Sequence, residues 1–250
     1  NIARFGLKAT TFKEIFIEMG HVEEKDAQGN VTKAAGGSFF YHHYLFPTDQ
    51  KVIAMRNVIK YWGITEIYGY DFPETPVDKA ERIQGWMTRP ELEWLYEKAK
   101  TMKTVVEIGA FKGRSTFVLA SACNGDSGKV YAIDTFDGAA TPVAGKPTFD
   151  DFIKNCGHFK NLTVIKKPSQ EAAALDVVPP KVEMTFFDAD HSYEAFTADL
   201  NTWVPRTTKL VCGHDLDDPL YPGVRQALQS AFGADRIGKG PGQIWYLKDE

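Results

Sequence analysis

The chain has little cysteine, no long apolar run and no surplus of basic charge. Its three cysteines, Cys123, Cys156 and Cys212, are odd in number and widely spaced over 250 residues. That spacing excludes a disulfide framework and a paired-thiol zinc site, and it predicts reduced core thiols in a cytoplasmic protein. No stretch approaches the roughly 18 apolar residues of a membrane span, and the first residues lack a basic-then-apolar signal pattern. The formal net charge of −4 gives no electrostatic reason to expect nucleic acid, so small molecules are the expected partners. No internal repeat is found. The sequence begins at Asn1, without an initiator methionine, which is compatible with a processed product or a segment of a longer polypeptide.

Two common nucleotide-binding fingerprints are missing as well. The stretch Thr104–Thr116, TVVEIGAFKGRST, runs an apolar strand into a glycine turn that opens directly into a helix. Glycine permits positive φ and close approach of a ligand at such a turn. The dinucleotide pattern needs G-x-G-x-x-G, however, and only Gly109-x-x-x-Gly113 is present; the P-loop pattern is absent too. The next apolar segment, Lys129–Gly138, carries Asp134 at the strand end, where a carboxylate can accept both hydroxyls of a ribose. That geometry suits NAD and S-adenosylmethionine alike. A carboxylate at Glu107 separates them, because it favours a cationic sulfonium and repels a pyrophosphate.

From Met102 onward, apolar strands alternate with amphipathic helices. Strands are expected at Leu162–Ile165, Val182–Phe187 and Lys209–Cys212, with helices at Arg114–Cys123, Phe149–Cys156, Ser169–Ala174, Tyr193–Trp203 and Val224–Phe232. Such alternation predicts a Rossmann-like, doubly wound α/β fold built on a mostly parallel seven-stranded sheet. Around the turn GKGPG, Gly238–Gly242, a late hairpin adds an antiparallel edge. Residues 1–81 are expected to form a helical and loop extension, and residues 82–250 the main domain, with a helix over 82–101. Val52, Met55, Val58, Ile59 and Trp62 recur at helical spacing in the extension. The aromatic run Phe39–Phe46, with His42 and His43, is expected to serve packing. Trp86 and Met87 before a proline-initiated helix suggest a hydrophobic staple.

Together, VVEIGAFKGRST, YAIDTFDG, FFDADHSYEAFTADL and CGHDLDDPLYPGVRQAL resemble the class I S-adenosylmethionine-dependent methyltransferases. More narrowly they resemble the subgroup of sugar O-methyltransferases and cephalosporin-hydroxylase-like proteins. The resemblance spans roughly Ile83–Tyr246. It implies that Glu107, Gly109, Ala110, Gly113 and Ser115 line the methionine end of the cofactor and that Asp134 holds the ribose. It further implies that Ser169 and Gln170 contact adenine and that Asp188 faces the transferable methyl. Ser169 is equally a plausible helix N-cap. The implied acceptor is a sugar or glycosylated small metabolite, and self-association or association with a glycan-modifying enzyme is left open.

An acceptor hydroxyl must lose its proton as the methyl transfers, either to a base or through metal coordination. The segments DADHSY and CGHDL place Asp188, Asp190, His191, His214 and Asp215 near two strand tips. Asp188, His214 and Asp215 are suitable ligands for magnesium or manganese, and the histidine favours the softer ion. Alternatively His191 or His214 is the general base, oriented by Asp188 or Asp215. Two other functions share this sheet: a nicotinamide-dependent oxidoreductase, disfavoured by the missing third glycine, and a methyltransferase-like module without catalysis.

Overall fold

A computed structural model of the protein describes residues 74–123, 127–138 and 146–248, and the backbone of two short strands nearer the amino terminus. Those strands, β1 (Glu24–Lys25) and β2 (Val31–Lys33), pair antiparallel, with the Gly29-Asn30 turn signal between them in sequence. The chain divides into two compact units, Asn1–Pro73 and Glu74–Glu250. The second therefore begins before residue 82. The aromatic run Phe39–Phe46 and the helical spacing over Val52–Trp62 lie outside the described residues.

The helix expected over 82–101 is shorter, Arg89–Ala99, and a turn separates it from a further short helix that lies before residue 82. Helix α1 (Pro76–Ala80) starts at a capping box in which Thr75 and Asp78 satisfy each other's backbone amides. Helix α2 (Arg89–Ala99) starts at a second such box, Thr88 with Glu91, and carries Pro90 in its first turn. A box satisfies amides that only a helix start leaves open, so it ends any helix running in from residue 82. Met87 before the cap and Leu92 in the first turn share one apolar cluster, as a staple requires. Trp86 departs from that expectation: it is exposed and tilts against Phe111 at 5.1 Å.

Seven strands follow as one sheet in the order β5-β4-β3-β6-β7-β9-β8. They are β3 (Thr104–Ile108), β4 (Lys129–Asp134), β5 (Leu162–Lys166), β6 (Val182–Phe187), β7 (Thr207–Gly213), β8 (Ile237–Lys239) and β9 (Trp245–Leu247). The first five are parallel, while β9 runs antiparallel to both β7 and β8. This is the expected mostly parallel, doubly wound sheet with an antiparallel hairpin edge. Helices α3 (Arg114–Ala122), α4 (Phe149–Cys156), α5 (Ser169–Ala173), α6 (Tyr193–Trp203) and α7 (Pro222–Phe232) make the crossovers.

Both faces of the sheet are covered, which is why the parallel strands read as nearly continuous apolar runs. Val105, Val130, Met184 and Phe186 pack with Leu92, Leu95 and Val118 on one face. Val106, Ile108, Ile133 and Phe187 pack with Phe196, Leu200, Trp203 and Leu228 on the other. All three cysteines are buried and unpaired. From β3 the chain winds outward through β4 and β5, then returns to place β6 on the other side of β3. Ligands bind beyond the carboxyl ends of strands at such a reversal.

Candidate functional site

Backbone hydrogen bonds tie the strand tips together at that reversal. The Gly109 amide donates to Ile133, the Asp188 amide to Ile108 and the His214 amide to Phe187, at 2.8, 2.8 and 3.0 Å. Gly109 has φ +90°, and a Cβ there would overlap the Asp188 carbonyl, so this turn accepts only glycine. A cavity of about 680 Å³ lies above the tips. Gly109, Ala110, Ser115, Asp134, Ser169, Gln170, Asp188, His191, His214 and Asp215, all read from the sequence, border it. That gathers residues from five separate connections.

Glu107 and Gly113 do not border the cavity, which corrects two expected cofactor contacts. Glu107 lies within β3, fully buried, and accepts a hydrogen bond from Thr116 on α3, while its Oε1 has no partner among the described residues. Burial lifts its carboxyl to about 8 against the pull of the nearby Ser115 and Thr116 hydroxyls, and the charges of Asp188 and Asp134 add to the rise. At neutral pH it is mostly protonated and supplies little negative charge. Gly113 instead caps α3 with φ +91°, packed against Cys156 and Phe152.

Asp134 has a second task beside the one read from its position. Its Oδ2 accepts the amides of Ala110 and Phe111 at 2.9 and 2.8 Å, and its Oδ1 accepts Phe136 at 2.6 Å. Phe111 and Phe136 sit at φ 46° and 56°, left-handed values that non-glycine residues adopt at a cost. One carboxylate thus holds the glycine turn and the loop after β4 in shape. Burial raises its pKa, and the three amides oppose that rise.

At the β6 and β7 tips the acids and imidazoles interlock. Asp215, itself at φ 62°, places Oδ2 2.8 Å from His191 Nε2 and Oδ1 3.2 Å from His214 Nδ1. Asp188 Oδ1 lies 3.7 Å from His191 Nε2. Despite those separations the buried His191 Nε2 has no hydrogen bond of acceptable direction, and Tyr221 stacks on its ring at 4.2 Å. Among the described residues, Asp188, His191 and Asp215 offer ligand atoms within 4.8 Å of one another. An orphaned imidazole nitrogen between two carboxylates is what a divalent cation would satisfy, so these residues fit one.

His214, expected among the ligands, is held elsewhere. Its Nε2 lies 3.1 Å from Glu91 Oε1, and both side chains are almost completely buried. Burial opposes protonation of His214, but Asp215 and Glu91 outweigh it and lift the ring to about 11. With carboxylates near both of its nitrogens, the ring is favoured in its charged form, which does not accept a proton. Glu91, held near 2 by His214, Gln243 and Thr88 against its own desolvation, is the site residue sequence reasoning missed. Its capping-box spacing accounted for it already and hid the second partner. Ser169 is a further correction: the cap of α5 is Pro168, and the Ser169 hydroxyl is directed to Asp199.

Residues 106–215 match the family model of a methyltransferase domain. That match covers less than half of the chain and makes residues 106–215 similar to a methyltransferase domain. No curated protein sequence matches the chain. In fold, the chain resembles an O-methyltransferase from Bacillus cereus solved with S-adenosylhomocysteine, at 12% identity over 77% of this chain and 97% of the other, TM-score 0.51. It also resembles an S-adenosylhomocysteine-bound Podospora anserina methyltransferase, at 13% identity over 78% and 96%, TM-score 0.51. A TDP-rhamnose 3'-O-methyltransferase of calicheamicin biosynthesis is 22% identical over 63% and 76%, TM-score 0.49. At these identities the likeness is one of fold. Among the described residues, no helix is long and apolar enough to cross a membrane.

Proposed function

We propose that this domain methylates a hydroxyl of a sugar or glycosylated small metabolite, with S-adenosylmethionine as donor and a divalent cation at Asp188, His191 and Asp215. The observation that carries the proposal is one cavity whose two ends differ in chemistry. One end, bordered by Asp134, Ser169 and Gln170, offers carboxylate, hydroxyl and amide groups suited to a nucleoside. The other, bordered by Asp188, Asp190, His191, Asp215, Asp218 and Tyr221, is rich in acceptors for a polyhydroxylated molecule. The resemblance of DADHSY and CGHDL to the sugar O-methyltransferases points the same way.

Bound at the turn, the cofactor would supply an electrophilic methyl, and a cation would make the acceptor hydroxyl more acidic. The chain's own residues do the rest. Gly109 and Ala110 present backbone close to the ligand, and Asp134 keeps that turn rigid. Asp188, more open than Asp215 at 24% against 10% side-chain exposure, is the carboxylate placed to take the hydroxyl proton. His214, clamped by Glu91 and Asp215, orients the β7 end and leaves proton transfer to the acids. Two carboxylates and one imidazole suit manganese at least as well as magnesium.

Calorimetric titration of the protein with S-adenosylhomocysteine and, separately, with NAD tests the cofactor. One-site binding of the first and none of the second is expected. A folded sample that ignores S-adenosylhomocysteine and binds NAD contradicts the proposal.

A further inference from the structure

Of the three side chains placed around the candidate cation site, His191 is the one whose orientation matters most and the one least secured by hydrogen bonds. A carboxylate can offer either oxygen over a wide range of angles, whereas a neutral imidazole offers a single lone pair in the plane of its ring. A metal-bound imidazole is ordinarily oriented through its second nitrogen, which donates to a carboxylate or a carbonyl. His191 has no such anchor: its Nε2 is unpartnered, and its Nδ1 makes no hydrogen bond among the described residues. Asp215 and Asp188 draw Nε2 toward them, at 2.8 and 3.7 Å, but a pull on one atom leaves the plane of the ring free.

Tyr221 fixes that plane. The two rings stack with 4.2 Å between centroids and 23° between planes, so a turn of the imidazole about its χ2 would drive it into the phenol. Tyr221 is itself held on both sides. Before it, a tight turn closes as the Tyr221 amide donates to the Asp218 carbonyl at 3.0 Å, and the Asp218 carboxylate accepts the Leu220 amide at 2.8 Å. After it, Pro222 opens α7 and Gly223 lies against the backbone that follows His191. A Cβ on Gly223 would stand 2.5 Å from the His191 carbonyl oxygen and 2.6 Å from the Tyr193 nitrogen, so only glycine lets α7 begin this close. Backbone contacts therefore deliver the phenol to the imidazole at the border of the cavity.

We propose that Tyr221 is a positioning residue: stacked on His191, it aims Nε2 at a divalent cation shared with Asp188 and Asp215, in place of the usual hydrogen bond to the second nitrogen. The proposal rests on the cation site proposed above and adds to it a residue that is not a ligand. The effect belongs to the ring of Tyr221 and not to its hydroxyl. Loss of a group that orients a metal ligand costs on the order of tenfold to a hundredfold in metal affinity.

The test is calorimetric titration of the whole chain with manganese chloride, in the absence of cofactor and acceptor. Wild type should bind the ion, Tyr221→Phe should match it within about threefold, and Tyr221→Leu should bind it at least about tenfold more weakly. His191→Ala should also weaken binding, and adding Tyr221→Leu to it should weaken binding no further, because the tyrosine acts through that imidazole. Unchanged affinity in Tyr221→Leu, an equal loss in Tyr221→Phe, or additive losses in the double variant overturns the role of Tyr221 and leaves the cation site standing. A folded wild type that binds no manganese overturns both. Should Tyr221→Leu fail to fold, Tyr221→Gln, equally unable to stack, is read in the same way.

Discussion

Replacing Glu107 by glutamine should stabilise the protein at high pH and leave it nearly unchanged at low pH. Glu107 is fully buried, and its carboxyl is lifted from 4.5 to about 8, chiefly by desolvation. Between those values the folded chain holds a proton that the unfolded chain releases. The group's contribution is therefore complete below about pH 4.5 and is lost as pH rises through about 8. The gap corresponds to roughly 5 kcal/mol, lost by wild type and not by the variant. For a unit of this size that is a relative difference of roughly 10–20 °C in Tm between pH 5 and pH 9. Thermal melts of both proteins across that range, followed by circular dichroism, provide the assay. Glutamine is isosteric and keeps an oxygen for Thr116. Parallel Tm curves for the two proteins would refute the claim that this carboxyl is buried and protonated, and would restore it as a charged cofactor contact.

Three further substitutions separate the parts of the site. Asp188→Ala should lower methyl transfer by roughly a hundredfold or more while S-adenosylhomocysteine affinity stays within about threefold, read by turnover and calorimetry. Asp134→Ala frees three backbone amides at the glycine turn, so cofactor affinity should fall first, by roughly tenfold or more in the same titration. Glu91→Ala removes a capping carboxylate and leaves His214 buried without that partner; urea unfolding at pH 7 should show a loss of roughly 3 kcal/mol. A loss below about 1 kcal/mol would mean that the Glu91 and His214 pair is not a structural clamp.

The strands were legible because a parallel sheet covered on both faces writes itself as apolar runs. Val182–Phe187 and Tyr193–Trp203 fall where the pattern puts them. Helix starts were less so: Thr88-x-x-Glu91 carries the signal for a start at Arg89, yet the spacing of Leu92 and Leu95 alone extends plausibly toward residue 82. The strand-tip acids could be gathered from sequence because parallel strands deliver their ends to one side. What each acid touches could not. His214 meets a residue 123 positions earlier, and Asp199 meets Ser169 across 30 positions. Asp199 in sequence is one more polar residue on an amphipathic helix, and His191 and His214, equivalent by spacing, are distinguished by their partners, Tyr221 for the first and Glu91 for the second. Phe39–Phe46, with His42 and His43, gives the first unit an aromatic character whose purpose periodicity alone does not assign.

Transfer of a labelled methyl group to a panel of sugar and glycoside acceptors, before and after chelation, tests the central claim most directly. The account predicts a methylated hydroxyl product, loss of transfer on removal of divalent cations, recovery with manganese or magnesium, and little recovery in Asp215→Ala. Undiminished transfer by the fully chelated wild-type protein would contradict the cation at Asp188, His191 and Asp215. A product methylated at nitrogen or carbon would contradict the hydroxyl acceptor.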